Sequence, residues 1–320
     1  MVKIVVLDSQ MLNRNDPSWK EIEKCGELVI YDTTPKEKVL EHISDATAIY
    51  TNKTVINREI VEKCPNLKWI GVFGTGYNVV DAAACKDNGV LVANVPEYST
   101  NAVAQHTFAL LLSLTCKVQN LSDNVHKGNW VGSTIKAFQQ NELTEVFGKT
   151  FGIIGFGNIG KAVSKIANAF GMNVLVYSRT KYPEYESENL KFVDFDTLLK
   201  ESDIISLHCP LNENTSGIIN KDAISKMKDG VILINTARGG ILNETDVAQA
   251  LKNGKIFALG ADVVSFEPIS SDNPLLGIEN AIITPHVAWA PTETRERLMK
   301  ISAENLINFL NSNPTNIVNF

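Results

Sequence analysis

The stretch Phe151-Gly152-Ile153-Ile154-Gly155-Phe156-Gly157-Asn158-Ile159-Gly160 decides the fold. Residues 151–154 read as a short buried strand. A Gly-x-Gly-x-x-Gly turn follows at once and opens a helix that should end near Gly171. Residues 173–177 read as the next strand. That strand–turn–helix–strand context separates a dinucleotide fingerprint from an ordinary glycine turn. Gly155 permits the tight turn, Gly157 lets backbone approach a pyrophosphate, and Gly160 lets the helix pack on the strand. N–H groups at the helix start, around Asn158 and Ile159, then face the phosphates.

The end of the second strand speaks to the choice of dinucleotide. A carboxylate there usually holds the ribose 2′-OH of NAD. Here the chain runs Ser178-Arg179-Thr180-Lys181, with no carboxylate. Ser178, Arg179 and Thr180 suit a 2′-phosphate, and Arg offers planar bidentate contact. NADP(H) is favoured. NAD(H) remains possible if Arg179 stacks on the adenine instead.

Working outward, short apolar runs alternate with helical patterns on both sides of this motif. Strands are expected at 3–7, 27–31, 46–50, 68–73 and 90–94, with helices around Ile22, Val39 and Ile60. A second series places strands at 151–154, 173–177, 204–208, 231–235, 257–262 and 281–284. Its helices fall near 158–170, 195–201, 221–227 and 244–253. Such alternation predicts α/β architecture with two doubly wound parallel sheets. Between the series, 101–116 is apolar nearly all round, which predicts a buried helix capped by Ser99, Thr100 or Asn101. Residues 119–148 are more polar and read as an arm or a loop packed on another subunit. The last helix should start near Pro291.

Bulk properties agree and exclude several classes. The 320 residues are 44% hydrophobic and 21% charged, which rules out a low-complexity disordered chain. That length suggests about two domains. A net charge of −6 argues against a nucleic-acid partner. It also requires that any anionic substrate be attracted by local charges. Five cysteines without a CxxC pair read as reduced thiols in a cytoplasmic protein. The longest apolar run, 108–112, is far short of the roughly 20 residues of a membrane span. The opening apolar run is too short for a signal peptide. No His/Cys/Asp/Glu cluster has metal-ligand spacing, so no catalytic metal is expected.

Three later motifs each follow an expected strand. They are Asn235-Thr236-Ala237-Arg238-Gly239-Gly240, Asp262-Val263-Val264-Ser265-Phe266-Glu267-Pro268 and Thr284-Pro285-His286-Val287-Ala288-Trp289-Ala290. Carboxyl ends of parallel strands line the ligand crevice, so Arg238, Glu267 and His286 are expected to converge there. His106 lies inside the apolar helix and reads as structural. His42 and His126 also lack a comparable carboxylate motif.

With these motifs in order, and with 207–211 (Leu-His-Cys-Pro-Leu), the chain resembles the D-isomer-specific 2-hydroxyacid dehydrogenase family over essentially its whole length. Gly74-Thr75-Gly76-Tyr77-Asn78, Val103-Ala104-Gln105-His106-Thr107 and the His286–Ala290 run most resemble its glycerate dehydrogenase or hydroxypyruvate reductase branch. The resemblance implies a Rossmann NAD(P)-binding domain, 99–290, inserted in a flavodoxin-like substrate domain, 1–98 and 291–320. It implies hydride transfer between a nicotinamide and a small D-2-hydroxy acid or 2-oxo acid. Arg238 would bind the substrate carboxylate and polarise its carbonyl. His286 would exchange a proton with the carbonyl oxygen, and Glu267 would hold the imidazole and favour its charged form. N–H groups near Thr75 and Gly76 would bind the substrate carboxylate. Thr236, Ala237 and the run His208-Cys209-Pro210 would touch the cofactor, and Asp262 its carboxamide. Lys53 is a further cleft candidate, as is Trp289; solvated surface and core filling are the competing readings. A homodimer is implied. The rival functions are phosphoglycerate or another D-2-hydroxyacid oxidation, and a nucleotide-sensing co-repressor. Formate dehydrogenase is disfavoured, because its pattern has glutamine where Glu267 stands.

Overall fold

Runs of Val, Ile and Leu too short for a stable helix form the strands, and all of the paired strands are parallel. The computed structural model describes residues 2–132 and 142–319. The chain divides into two compact units, Met1–Ser99 with Ala290–Phe320, and Thr100–Trp289.

In the first unit, β1 (Lys3–Val6), β2 (Glu27–Ile30), β3 (Ala48–Thr51), β4 (Trp69–Val72) and β5 (Leu91–Ala93) form a sheet of order β2-β1-β3-β4-β5. The helices Ser18–Glu23, Val39–Ile43, Arg58–Lys63, Ala82–Asp87 and Thr292–Leu310 accompany it. Side chains start two of them: Asn57 accepts from Ile60 N–H and Asp81 from Ala84 N–H. The final helix is locked to the sheet by Tyr50, whose hydroxyl donates to the Ser302 carbonyl at 2.8 Å. This returns the chain's end to the fold of its beginning. Asn319 continues the lock, accepting from Val92 N–H at 2.8 Å.

The second unit holds β6 (Thr150–Ile154), β7 (Asn173–Tyr177), β8 (Leu190–Phe192), β9 (Ile204–Leu207), β10 (Val231–Asn235), β11 (Ile256–Ala261) and β12 (Ala281–Ile283). The order β12-β11-β10-β9-β6-β7-β8 reverses direction at β6. Its carboxyl end, beside that of β9, is the switch point where such sheets take a ligand. The helix Thr100–Cys116 packs on this sheet. Gly260 of β11 admits it: an added Cβ would lie 2.9 Å from Leu110.

Several expectations need adjustment. The third strand begins at Ala48 rather than at 46. The edge strand Leu190–Phe192 was not expected, since three residues carry no readable period. The helix Thr100–Cys116 is not buried all round: Asn101, Gln105, Ala109, Ser113 and Cys116 form one exposed line at helical spacing. The expected irregular arm starts as a helix, Val118–His126. Its residues 133–141 lie outside the described residues. No described helix is long and apolar enough to cross a membrane.

Candidate active site

The glycine turn after β6 has the geometry its spacing requires. Gly155 has φ +98°, and a Cβ there would stand 2.6 Å from the backbone of His208 and Cys209. Only glycine meets both demands. A Cβ on Gly160 would press to 2.3 Å on the Gly155 carbonyl oxygen. Gly157 is different: no other atom lies within 4 Å of an added Cβ. It caps the helix Asn158–Ala169 with no side chain of its own. An open cradle at a helix N-terminus fits a pyrophosphate, by both space and dipole.

At the end of β7, Ser178 is half-buried while Arg179 and Thr180 are exposed. Arg179 makes no ion pair among the described residues. At the end of β9, His208 Nε2 is 2.8 Å from Ser206 Oγ. Burial pushes the His208 imidazole down to about 3 and the Cys209 thiol up to about 11. Both groups are therefore neutral near pH 7. Pro210 is exposed next to them.

Arg238 stands on the loop after β10. Asn235 shapes that loop, accepting from Ala237 N–H at 3.0 Å and donating to the Arg238 carbonyl at 2.9 Å. Thr236 is buried, and Ala237 and Arg238 are half-buried. Gly239 brings this loop hard against the one after β11. A Cβ there would sit 1.8 Å from the Val264 carbonyl carbon.

The pair expected from the motifs is present: His286 Nδ1 lies 2.7 Å from Glu267 Oε2. Their side chains are only 32% and 27% exposed, so the contact is partly shielded. His286 has φ 55°, a left-handed backbone unusual outside glycine. Asp262 holds it there. The Asp262 carbonyl accepts His286 N–H at 2.8 Å. Its carboxylate accepts Val287 N–H (2.9 Å) and Thr284 hydroxyl (2.5 Å) on Oδ1, and Ala288 N–H (2.8 Å) on Oδ2. Burial alone would raise this carboxyl; the bonds from His106, Thr284 and the two amides outweigh it and leave the pKa below the ordinary value. Asp262 is thus a 1% exposed anion facing the chain's own backbone. No motif foretold the bonds that Thr284 and Ser206 make in these networks. Hydroxyls in apolar strands or helices carried no period to read.

The remaining candidates belong to other loops. In the first unit, Thr75 and Gly76 are exposed after β4, and Thr75 Oγ1 donates to the Val95 carbonyl at 2.8 Å. Lys53 has an exposed side chain, while its N–H donates to Asp8 at 2.9 Å. Trp289, half-buried, ends the second unit. Among the described residues no group of three His, Cys, Asp or Glu is placed to hold a metal ion.

A dinucleotide turn and an imidazole–carboxylate pair, both at strand ends of one doubly wound sheet, define an oxidoreductase that uses a nicotinamide cofactor. Known proteins narrow the class. The model of the D-isomer specific 2-hydroxyacid dehydrogenase NAD binding domain matches residues 108–288. A hydroxypyruvate reductase of Blautia hydrogenotrophica is 50% identical over 99% of this chain and 100% of its own. A glycerate dehydrogenase of Methylorubrum extorquens is 36% identical over 99% and 98%. Among solved structures, an acyclic imino acid reductase in complex with NADPH and D-Arg superposes with a TM-score of 0.88 and 33% identity, covering 99% of this chain and 100% of that one. The chain belongs to the D-isomer specific 2-hydroxyacid dehydrogenase family, enzymes acting on CH–OH donors.

Proposed function

We propose that this protein reduces small 2-oxo acids, hydroxypyruvate and glyoxylate first among them, to D-2-hydroxy acids. The observation that carries the reading is the 2.7 Å bond between His286 Nδ1 and Glu267 Oε2. That bond takes up one ring nitrogen and leaves Nε2 to exchange a proton. The relative named hydroxypyruvate reductase, half identical over its full length, supports the substrate.

Each residue then has a task. A nicotinamide held by these loops would supply hydride chemistry at the carbonyl carbon. Imidazolium His286 gives its Nε2 proton to the carbonyl oxygen, and the resulting neutral ring regains a proton from solvent. Glu267 stabilises the charged ring and fixes its orientation. Arg238 pairs with the substrate carboxylate and draws electron density toward the oxygen, where negative charge develops. Thr75 and Gly76 are further candidates for the carboxylate, as Lys53 and Trp289 are for the remainder of the substrate. The loop with Gly155, Gly157, Asn158, Ile159 and Gly160 would hold the pyrophosphate. His208, Cys209, Pro210, Thr236 and Ala237 line the neighbouring strand ends for the nicotinamide half. Asp262 Oδ2 takes one N–H and keeps acceptor capacity for a carboxamide.

Ser178 and exposed Arg179, without a carboxylate at the end of β7, favour NADP(H) over NAD(H). The first unit is proposed as the substrate domain. A homodimer is proposed from the arm, where Val118, Trp130, Val131, Leu143 and Phe147 are exposed apolar residues. Five cysteines without a disulfide fit a reducing compartment such as the cytoplasm. The test is a panel of 2-oxo acids, including hydroxypyruvate, glyoxylate, pyruvate and 3-phosphohydroxypyruvate, assayed with NADPH and NADH. Hydroxypyruvate or glyoxylate with NADPH should give the highest kcat/KM. Absence of turnover with every acid and both cofactors would overturn the reading.

A further inference from the structure

We infer that His106 and Thr107, consecutive residues of the helix Thr100–Cys116, are positioning residues that together set the loops of His286 and Arg238. The inference rests on the acid–base reading of His286 given above.

Proton counting fixes the direction of the first brace. Thr284 donates its hydroxyl hydrogen to Asp262 Oδ1 at 2.5 Å. A hydroxyl has one hydrogen, so the 3.0 Å contact between Thr284 Oγ1 and His106 Nε2 must have the imidazole as donor. Nε2 therefore carries a hydrogen, and it also lies 3.4 Å from Asp262 Oδ1. Asp262 accepts the consecutive amides of His286, Val287 and Ala288, where His286 takes its left-handed conformation. His106 is the far end of this chain of bonds. It fixes Thr284 and Asp262 from the helix, where neither can rotate without losing a partner.

The second brace starts one residue later. Thr107 donates to the Val103 carbonyl within the helix at 2.9 Å. By the same count, Thr236 is the donor in the 3.0 Å Thr107–Thr236 contact. Thr107 is fully buried, Thr236 nearly so, and Thr236 precedes Arg238 by two residues. Neighbouring helical residues point about 100° apart, so one turn of helix reaches two strand-end loops. The helix is a rigid platform for this, because Gly260 lets Leu110 dock directly on β11.

The substitutions His106→Leu and Thr107→Val remove one brace each. Steady-state kinetics and fluorescence titration with NADPH read the outcome. Each variant should lose about tenfold or more in kcat, the scale on which small misplacements of reacting groups act. Dinucleotide Kd should change far less than kcat, because the phosphate turn is untouched and only the nicotinamide end lies near the braces. His106→Gln, whose amide nitrogen can take the place of Nε2, should recover most of the loss. Unchanged kcat in His106→Leu would overturn the inference. So would equal losses in the Leu and Gln variants together with weakened NADPH binding, which mark a general structural role. If His106→Leu fails to fold, Thr284→Val breaks the same brace from the other end, and normal kcat there would overturn it. His286→Ala, assayed in parallel, separates the two failures. A slow His286→Ala with a normal His106→Leu overturns the brace alone. A normal His286→Ala overturns the acid–base reading and this inference with it.

Discussion

Glu267 Oε2 and His286 Nδ1 stand 2.7 Å apart although 19 residues separate them in the chain. Two neighbouring parallel strands, β11 and β12, deliver them to the same end of the sheet. His286→Ala should lower kcat by about 10²- to 10⁴-fold, the usual worth of a general acid. NADPH binding should persist. Glu267→Gln keeps the shape but removes the charge, so its loss should be smaller. Steady-state turnover and NADPH titration of the two variants check both.

Arg238 should be separable from this pair by its effect on substrate. Arg238→Gln leaves no fixed charge for the carboxylate or for the developing oxyanion. Both KM and kcat should worsen, with a loss of about 10²- to 10³-fold in kcat alone. Added guanidinium should rescue part of it. Steady-state kinetics with and without guanidinium decide the matter.

The end of β7 predicts a change of cofactor. Ser178→Asp places a carboxylate where a 2′-phosphate would sit, and it should move preference from NADPH toward NADH. The measurement is the ratio of kcat/KM for the two cofactors. An unchanged ratio would refute the reading of Ser178 and Arg179.

The first two glycines of the phosphate turn should part company. Gly155→Ala meets backbone at 2.6 Å with φ +98°, so it should cost at least about 1–3 kcal/mol of stability. Gly157→Ala enters open space, and the change in unliganded stability should be about 1 kcal/mol or less. Its NADPH affinity should nevertheless fall. Thermal melts with and without NADPH distinguish the two variants.

His208 should remain neutral across the physiological range. Its folded-state pKa of about 3 lies below the ordinary value of 6.5. Between those values the unfolded chain binds more protons than the folded one. Stability from this group is therefore complete above about pH 6.5 and declines as pH falls toward 3. The His208 ring resonances should not titrate between pH 5 and 8 in NMR spectra.

What was legible in the chain was whatever is local or periodic. The phosphate turn could be read because a strand, three glycines and a helix follow one another within twenty residues. Glu267 and His286 could be placed together because each follows a strand of the same parallel sheet. The 190–192 strand could not be read, being fixed by its neighbour β7 and not by its own three residues. Nor could the His106–Thr284 bond, whose partners are 178 positions apart. A histidine in an apolar helix looks alike whether it fills space or donates to a threonine. Asp262 could be noticed by its position but not by its partners, which are mostly backbone amides.

Gly239 has a consequence for how such an enzyme can change. With a Cβ excluded at 1.8 Å from Val264, the loops of Arg238 and Glu267 touch backbone to backbone. No side chain can be inserted as a spacer between them. The two loops therefore form a single mechanical part, and if Arg238 and Glu267 act as proposed, the space between them does not widen by a side chain at 239. Any shift toward larger substrates has to be built on other loops, with this part held constant.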